Sequence, residues 1–159
     1  MSKIHEIPTG CTMHKRDELN VEDASLMQAA LNVALKAYAP YSRFKVGAAL
    51  LLENGEIVSA SNQENAAYPS GLCAERVALF FAGSTYPGVA VKKIAISIDS
   101  EEKDLTLAYA PCGSCRQVIA ETEKRQNNPM QILFEGPHNQ VICCEGIDPL
   151  LPFAFRLPE

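Results

Sequence analysis

With 159 residues, 47% of them hydrophobic and 21% charged, the chain has the size and balance of one globular domain burying a single core. A net charge of −5 argues against a basic face for nucleic acid, and the longest apolar runs, such as Val46 to Leu52, are far too short to span a bilayer. The opening Met1-Ser2-Lys3-Ile4-His5-Glu6 carries no apolar secretory segment, so a cytoplasmic location is expected, and there six cysteines point to metal binding or catalysis rather than to a disulfide framework.

Residues 1–20 mix Pro8, Gly10 and several charges and read as an irregular N-terminal arm. Asn20 or Asp23 then caps a helix whose Leu26, Ala29, Ala30, Val33, Ala34 and Ala37 recur at helical spacing, with Pro40 ending it. Val46 to Leu52 reads as a buried strand. The Asn54-Gly55 turn returns the chain as a second strand, Ile57 to Ser61. A loop with Pro69 and Gly71 leads to a second helix, roughly Cys73 to Ala82. Val91 to Ile98 alternates as a third strand, and Asp99 to Ala110 is largely polar loop. A third helix starts near Pro111, which suits a first turn. Gln131 to Glu135 and Val141 to Glu145 make the last two strands, and Leu150 to Phe155 reads as a short terminal helix. The order α-β-β-α-β-α-β-β predicts an α/β fold: a three-layer α-β-α arrangement around a mixed five-stranded sheet.

Cys112-Gly113-Ser114-Cys115 is a C-x-x-C pair at a predicted helix start, with both sulfurs on one helix face. Cys73 stands at the other predicted helix start. Helix N-termini favour thiolates, so two helices can point three sulfurs at one zinc ion and leave a fourth position open. Three plainer readings stand beside this one. The C-x-x-C can be a redox pair, Cys143 or Cys144 can complete a structural four-cysteine site, and buried cysteines often serve as small hydrophobes. The last reading is applied to Cys143, Cys144 and Cys11. Cys73-Ala74-Glu75 favours the open site, because it sets a carboxylate two residues beyond a ligand.

Taken together, Tyr41-Ser42-Arg43-Phe44-Lys45-Val46-Gly47-Ala48-Ala49, Asn62-Gln63-Glu64-Asn65-Ala66-Ala67-Tyr68-Pro69, Cys73-Ala74-Glu75-Arg76, Pro111-Cys112-Gly113-Ser114-Cys115-Arg116-Gln117 and Leu150-Leu151-Pro152 resemble the cytidine deaminase family, in its small tetrameric three-cysteine branch. The resemblance implies one Zn²⁺ per chain on Cys73, Cys112 and Cys115, with Glu75 moving the protons. It implies Phe44 against the nucleoside, Asn62 and Glu64 on the ribose hydroxyls, and the Ala74 backbone on the base. Tyr68 and Phe155 fall at positions near the site at subunit contacts, and Arg76 and Gln117 stand around the ligands. Residues 21–159 become a cytidine deaminase-like catalytic domain. The implied reaction converts cytidine and deoxycytidine to the uridine products and ammonia, as in pyrimidine salvage; a modified nucleoside or aminonucleoside substrate, or a non-catalytic zinc-stabilised module, are the alternatives. The expected partners are a small nucleoside and three further copies of the chain, with no nucleic acid and no membrane. His5, His14 and His138 match no ligand position.

Overall fold

The computed structural model describes residues 10–101 and 103–157. Asn20 caps the first helix, α1 (Val21–Ala34), by accepting from the Asp23 amide at 2.8 Å, and Glu22 and Asp23 place negative charge at its N-terminus. The helix ends at Ala34, earlier than Pro40 would require. The amides of Lys36 and Ala37 fold back onto the carbonyls of Val33 and Ala34, and Tyr38 then bonds to the Asn62 carbonyl. That tertiary bond takes the chain out of the helix before proline is reached.

Strand β2 (Lys45–Leu52) and strand β3 (Ile57–Ser61) form the hairpin that Asn54-Gly55 announces, with Gly55 at φ 85°. Helix α2 (Ala74–Thr85), strand β4 (Val91–Asp99), helix α3 (Gly113–Gln126), strand β5 (Gln131–Glu135) and strand β6 (Gln140–Glu145) follow. Strands β4 and β5 run parallel, joined by the α3 crossover, and the other pairs are antiparallel.

The two faces of the sheet are both covered. Ala48, Leu50, Leu52, Ile94, Ile96, Ile132 and Phe134 pack under α2 and α3. Ala49, Leu51, Ala95 and Leu133 pack under α1, against Leu26, Met27 and Ala30. Burial on both faces explains why β2 is almost continuously apolar instead of alternating. Gly47 allows α1 to lie directly on β2: a Cβ there would sit 2.7 Å from the Ala34 nitrogen.

The sheet among the described residues has six strands, not five, in the order given by β3, β2, β4, β5, β6 and a further strand, Cys11–Lys15. This strand, β1, comes from the segment read as an irregular arm, whose residues 1–9 lie outside the described ones. It pairs antiparallel with β6, setting Cys11 opposite Cys144, and the two are joined by a disulfide. Cys11 and Cys144 are therefore cystine halves and not the separate small hydrophobes expected. Cys143 does fit that expectation, being a buried free thiol on the α1 side whose burial pushes its pKa up to about 11. Leu150 to Phe155 forms no helix either. One turn closes from Leu150 and Leu151 onto the Ile147 carbonyl, and Pro152 follows, unable to donate to a further turn.

Candidate metal centre

The site lies at the end of the sheet where β2 begins and β3 and β4 finish, since Lys45 opposes Asp99 and Gly47 opposes Ser61. Two helices start there. Cys73 is the residue before α2 and Cys112 the residue before α3, both in extended conformation with side chains free of capping bonds. Cys115, one turn into α3, is fully buried. The sulfurs of Cys73, Cys112 and Cys115 all lie within 4.8 Å of one another, the one such cluster among the described residues.

The spacing fits a tetrahedral ion. Zinc–sulfur bonds of about 2.3 Å place tetrahedral sulfurs about 3.8 Å apart. Cys73 and Cys112 are separated by 3.8 Å, and Cys112 and Cys115 by 3.4 Å. The donor chemistry fits as well. A hydrogen bond from Cys115, with help from Arg76, draws the Cys73 thiol down to about 5, while the same bond and burial push Cys115 far up. Three sulfurs this close do not all ionise without a cation among them. Cys144 is committed to its disulfide and Cys143 faces α1, so neither joins the cluster. His14 bonds to Thr12 in β1, and His138 sits in the β5–β6 turn; His5 lies outside the described residues.

Glu75, in the first turn of α2, is only 4% exposed. Burial, reinforced by the Cys73 charge, raises its pKa. Arg76 donates to the Cys73 sulfur at 3.6 Å, and its Nε is buried with no protein partner. A cavity of about 350 Å³ opens beside these groups, lined by Phe44, Asn62, Cys73, Glu75, Tyr109 and Cys112 among others. It shares Ser42, Asn62 and Cys73 with a larger outer cavity of about 560 Å³, which Tyr41, Glu64, Tyr68 and Arg76 help to line.

Asn62 and Glu64 have work of their own in the free chain. Asn62 accepts from the Val46 amide at 2.8 Å and donates to the Phe44 carbonyl at 3.0 Å. Glu64 accepts from the Ser42 hydroxyl at 2.5 Å and from the amides of Tyr41 and Ser42. The Ser42 hydroxyl chiefly, and the two amides, hold its carboxyl below the usual range. Together they fix residues 41–46 and so aim Phe44 at the cavity. Each keeps hydrogen-bonding capacity: one N–H on Asn62 and lone pairs on both. Ala74 is fully buried, and its amide belongs to the first turn of α2, outside the helix ladder.

Tyr68 lines the outer cavity, is 78% exposed, and meets Tyr41 edge-on at 6.2 Å. Phe155 lines neither cavity; its ring is largely exposed and its carbonyl accepts from Gln117. Gln117 thus fastens the C-terminal segment to α3 instead of bonding to the sulfurs, because it lies on the side of the helix that this segment crosses. Tyr109 is a lining residue that the sequence reading passed over inside a polar loop. Its signal was an aromatic three residues before a ligand cysteine.

Residues 20–128 match the family described as the cytidine and deoxycytidylate deaminase zinc-binding region. The cytidine deaminase of Halalkalibacterium halodurans is 44% identical over 134 residues, covering 84% of this chain and 94% of that one. The cytidine deaminase of Mycobacterium tuberculosis is 34% identical over 130 residues, covering 82% and 86%. The crystal structure of cytidine deaminase from Burkholderia pseudomallei superposes with a TM-score of 0.70 at 36% identity, over 86% of this chain and all of that one. The matched region contains both helix starts and all three sulfurs, and the chain belongs to the cytidine and deoxycytidylate deaminase family.

Proposed function

We propose that the chain is a zinc-dependent hydrolase that converts cytidine and 2′-deoxycytidine to uridine and 2′-deoxyuridine, releasing ammonia. The observation that carries this reading is the buried Glu75 carboxyl beside a three-sulfur site with one coordination position left over, both facing the same cavity. Cys73, Cys112 and Cys115 would hold the zinc, which when bound acidifies the attacking water. Glu75 accepts the water proton and delivers it to N3 of the pyrimidine, then takes the proton of the new C4 hydroxyl and passes it to the departing amine, so that the C4 carbonyl forms as the C4–N bond breaks, ammonia leaves and Glu75 returns to its starting state. Its position supports this, since Glu75 stands two residues beyond Cys73 and lines the same cavity as Cys73 and Cys112. The Ala74 amide is available to the base carbonyl. The unused N–H of Asn62 and the free lone pairs of Glu64 suit ribose hydroxyls, which both donate and accept.

The catalytic unit is assigned to residues 21–159, with 1–20 as an arm that lends the sheet its outer strand. Pyrimidine salvage is the setting this activity implies; the Cys11–Cys144 disulfide weighs against the reducing cytoplasm expected from the sequence, and no described helix is long and apolar enough to cross a membrane. The exposed Tyr68 and Phe155 rings support a homotetramer in which neighbouring copies cover them. Incubating the zinc-quantified protein with cytidine and following its absorbance tests the reading; zinc at one per chain with no turnover of any cytosine nucleoside would overturn it.

Three thiolates on Zn²⁺ leave the site at a net charge of about −1, which opposes ionisation of water. Arg76 supplies the nearest counter-charge. Arg76→Ala is therefore expected to lower zinc retention on dialysis or kcat by about 10- to 100-fold, the usual effect of losing a group that orients a ligand. Metal analysis and steady-state kinetics on the same sample read both quantities.

A further inference from the structure

The connection from β4 to α3 is held by a buried charge that the chemistry above does not use. Glu135 ends β5 and is 1% exposed. Because β4 and β5 are parallel, their C-terminal ends lie side by side, and the chain leaving β4 passes over Glu135. There Lys103 meets its carboxylate at 2.8 Å, and Arg16, just after β1, meets it at 2.5 Å. Burial works against the charge, but hydrogen bonds from Arg16 and Lys103 outweigh it and hold the carboxyl below its usual range. The Glu135 carbonyl also accepts from the Tyr109 amide at 2.8 Å. The Tyr109 hydroxyl in turn accepts from the Asp104 amide at 2.7 Å and donates to the Asp104 carbonyl at 3.2 Å. The loop is thus fastened at both ends to one residue. Its tyrosine hydroxyl is bound within the loop, while the ring packs at 5.5 Å from Phe44 on the cavity wall.

The geometry of the reaction says which part of the substrate meets this ring. With C4 of the base at the sulfur cluster and N3 on Glu75, the α2 side of the cavity is taken. The neighbour of C4 on the other side is C5, which must face the α3 side, where the wall is made by Tyr109, Ala110 and Cys112. We propose that Tyr109 is a specificity-determining residue that closes an aromatic wall with Phe44 over the C5 edge of the pyrimidine, and that Glu135, through Lys103 and Arg16, is its positioning residue. The inference rests on the functional reading above. It assigns Tyr109 the discrimination between a bare C5 and one carrying a substituent.

The test uses zinc-loaded protein, with cytidine and 5-methylcytidine as substrates and calorimetric titration of uridine as a measure of binding without turnover. Tyr109→Ala is expected to raise KM for cytidine and weaken uridine binding by about 10-fold, within the range seen for base–aromatic stacking. Zinc content and kcat stay close to the parent, and the 5-methylcytidine to cytidine ratio of kcat/KM rises. Tyr109→Phe, which keeps the ring, restores the parental ratio. Glu135→Gln raises KM in the same direction and adds little on top of Tyr109→Ala, as expected of two residues acting through one element. Unchanged KM and ratio in Tyr109→Ala, or parallel losses of zinc and kcat, overturn the proposal. A parent protein that turns over cytidine and binds uridine while Tyr109→Ala matches it overturns this inference alone; a parent that does neither overturns the functional reading and this inference together.

Discussion

Replacing Glu75 with alanine is expected to cut kcat by about 10³-fold or more while zinc stays at one per chain, because a single positioned acid–base group contributes up to about 10⁴-fold. The two readouts separate because the carboxyl is not among the three ligand atoms. The sulfurs are placed by the residues that begin α2 and α3, and none of those backbone positions depends on the Glu75 side chain. Both protons that move in the cycle pass through this one group, so nothing else lining the cavity takes its place. A carboxyl buried to 4% exposure is a burden on folding, carried for the chemistry it performs. Glu75→Ala should accordingly melt no lower than the parent. Residual deamination within a few-fold of the parent would remove Glu75 from the mechanism.

Cys115→Ser is expected to behave in the opposite way, losing the metal and the activity together and melting lower. Cys115 is the fully buried member of the cluster, anchored one turn inside α3, so its sulfur is fixed by the helix that carries it. Two remaining sulfurs leave the ion with half its coordination, and serine is a poor substitute for thiolate at a zinc site. Where free zinc exceeds the dissociation constant about a hundredfold, losing a ligand bound only by the folded chain removes about 3 kcal/mol of stability. Metal analysis, thermal melts and cytidine turnover check the three effects. A chelator applied to the parent should reproduce them, and added zinc should reverse them there but not in Cys115→Ser. Full activity in a metal-free sample would refute the zinc assignment.

What could be read from the sequence was what local chemistry determines. Asn54-Gly55 carries its turn in two residues, and β3 and β5 span the residues expected from their Ile-Val and Ile-Leu-Phe centres. Cys73, Cys112 and Cys115 stood out because residues at helix starts have predictable neighbours, and the family segments around them supplied the reaction. What could not be read depends on partners distant in the chain. The Cys-Thr-Met-His alternation of β1 is only four residues long and its Met13 stays exposed, so it becomes a strand only because β6 lies beside it. The Cys11–Cys144 bond follows from that register and from nothing nearer. α1 ends early because Asn62 captures the chain beyond it. The same holds for the site: Asn62 and Glu64 were expected on ribose, but their hydrogen bonds to residues 41–46 appear only once β3 has returned beside β2. Tyr109 gained its place because Glu135, from a later strand, draws its loop down.

The outermost strand bears on how the protein behaves in bulk. Without β1, strand β6 would end the sheet and present the backbone of Gln140–Glu145, with its central Val-Ile-Cys-Cys run, to any other chain in solution. β1 is short, half-exposed and ends on Lys15, a poor template for further pairing, and the Cys11–Cys144 bond rivets it in place across a separation of 133 residues. The first residues of the fold therefore act as a selvedge: they finish the weave of the sheet, and what they govern is less the turnover of a nucleoside than whether concentrated enzyme stays in solution.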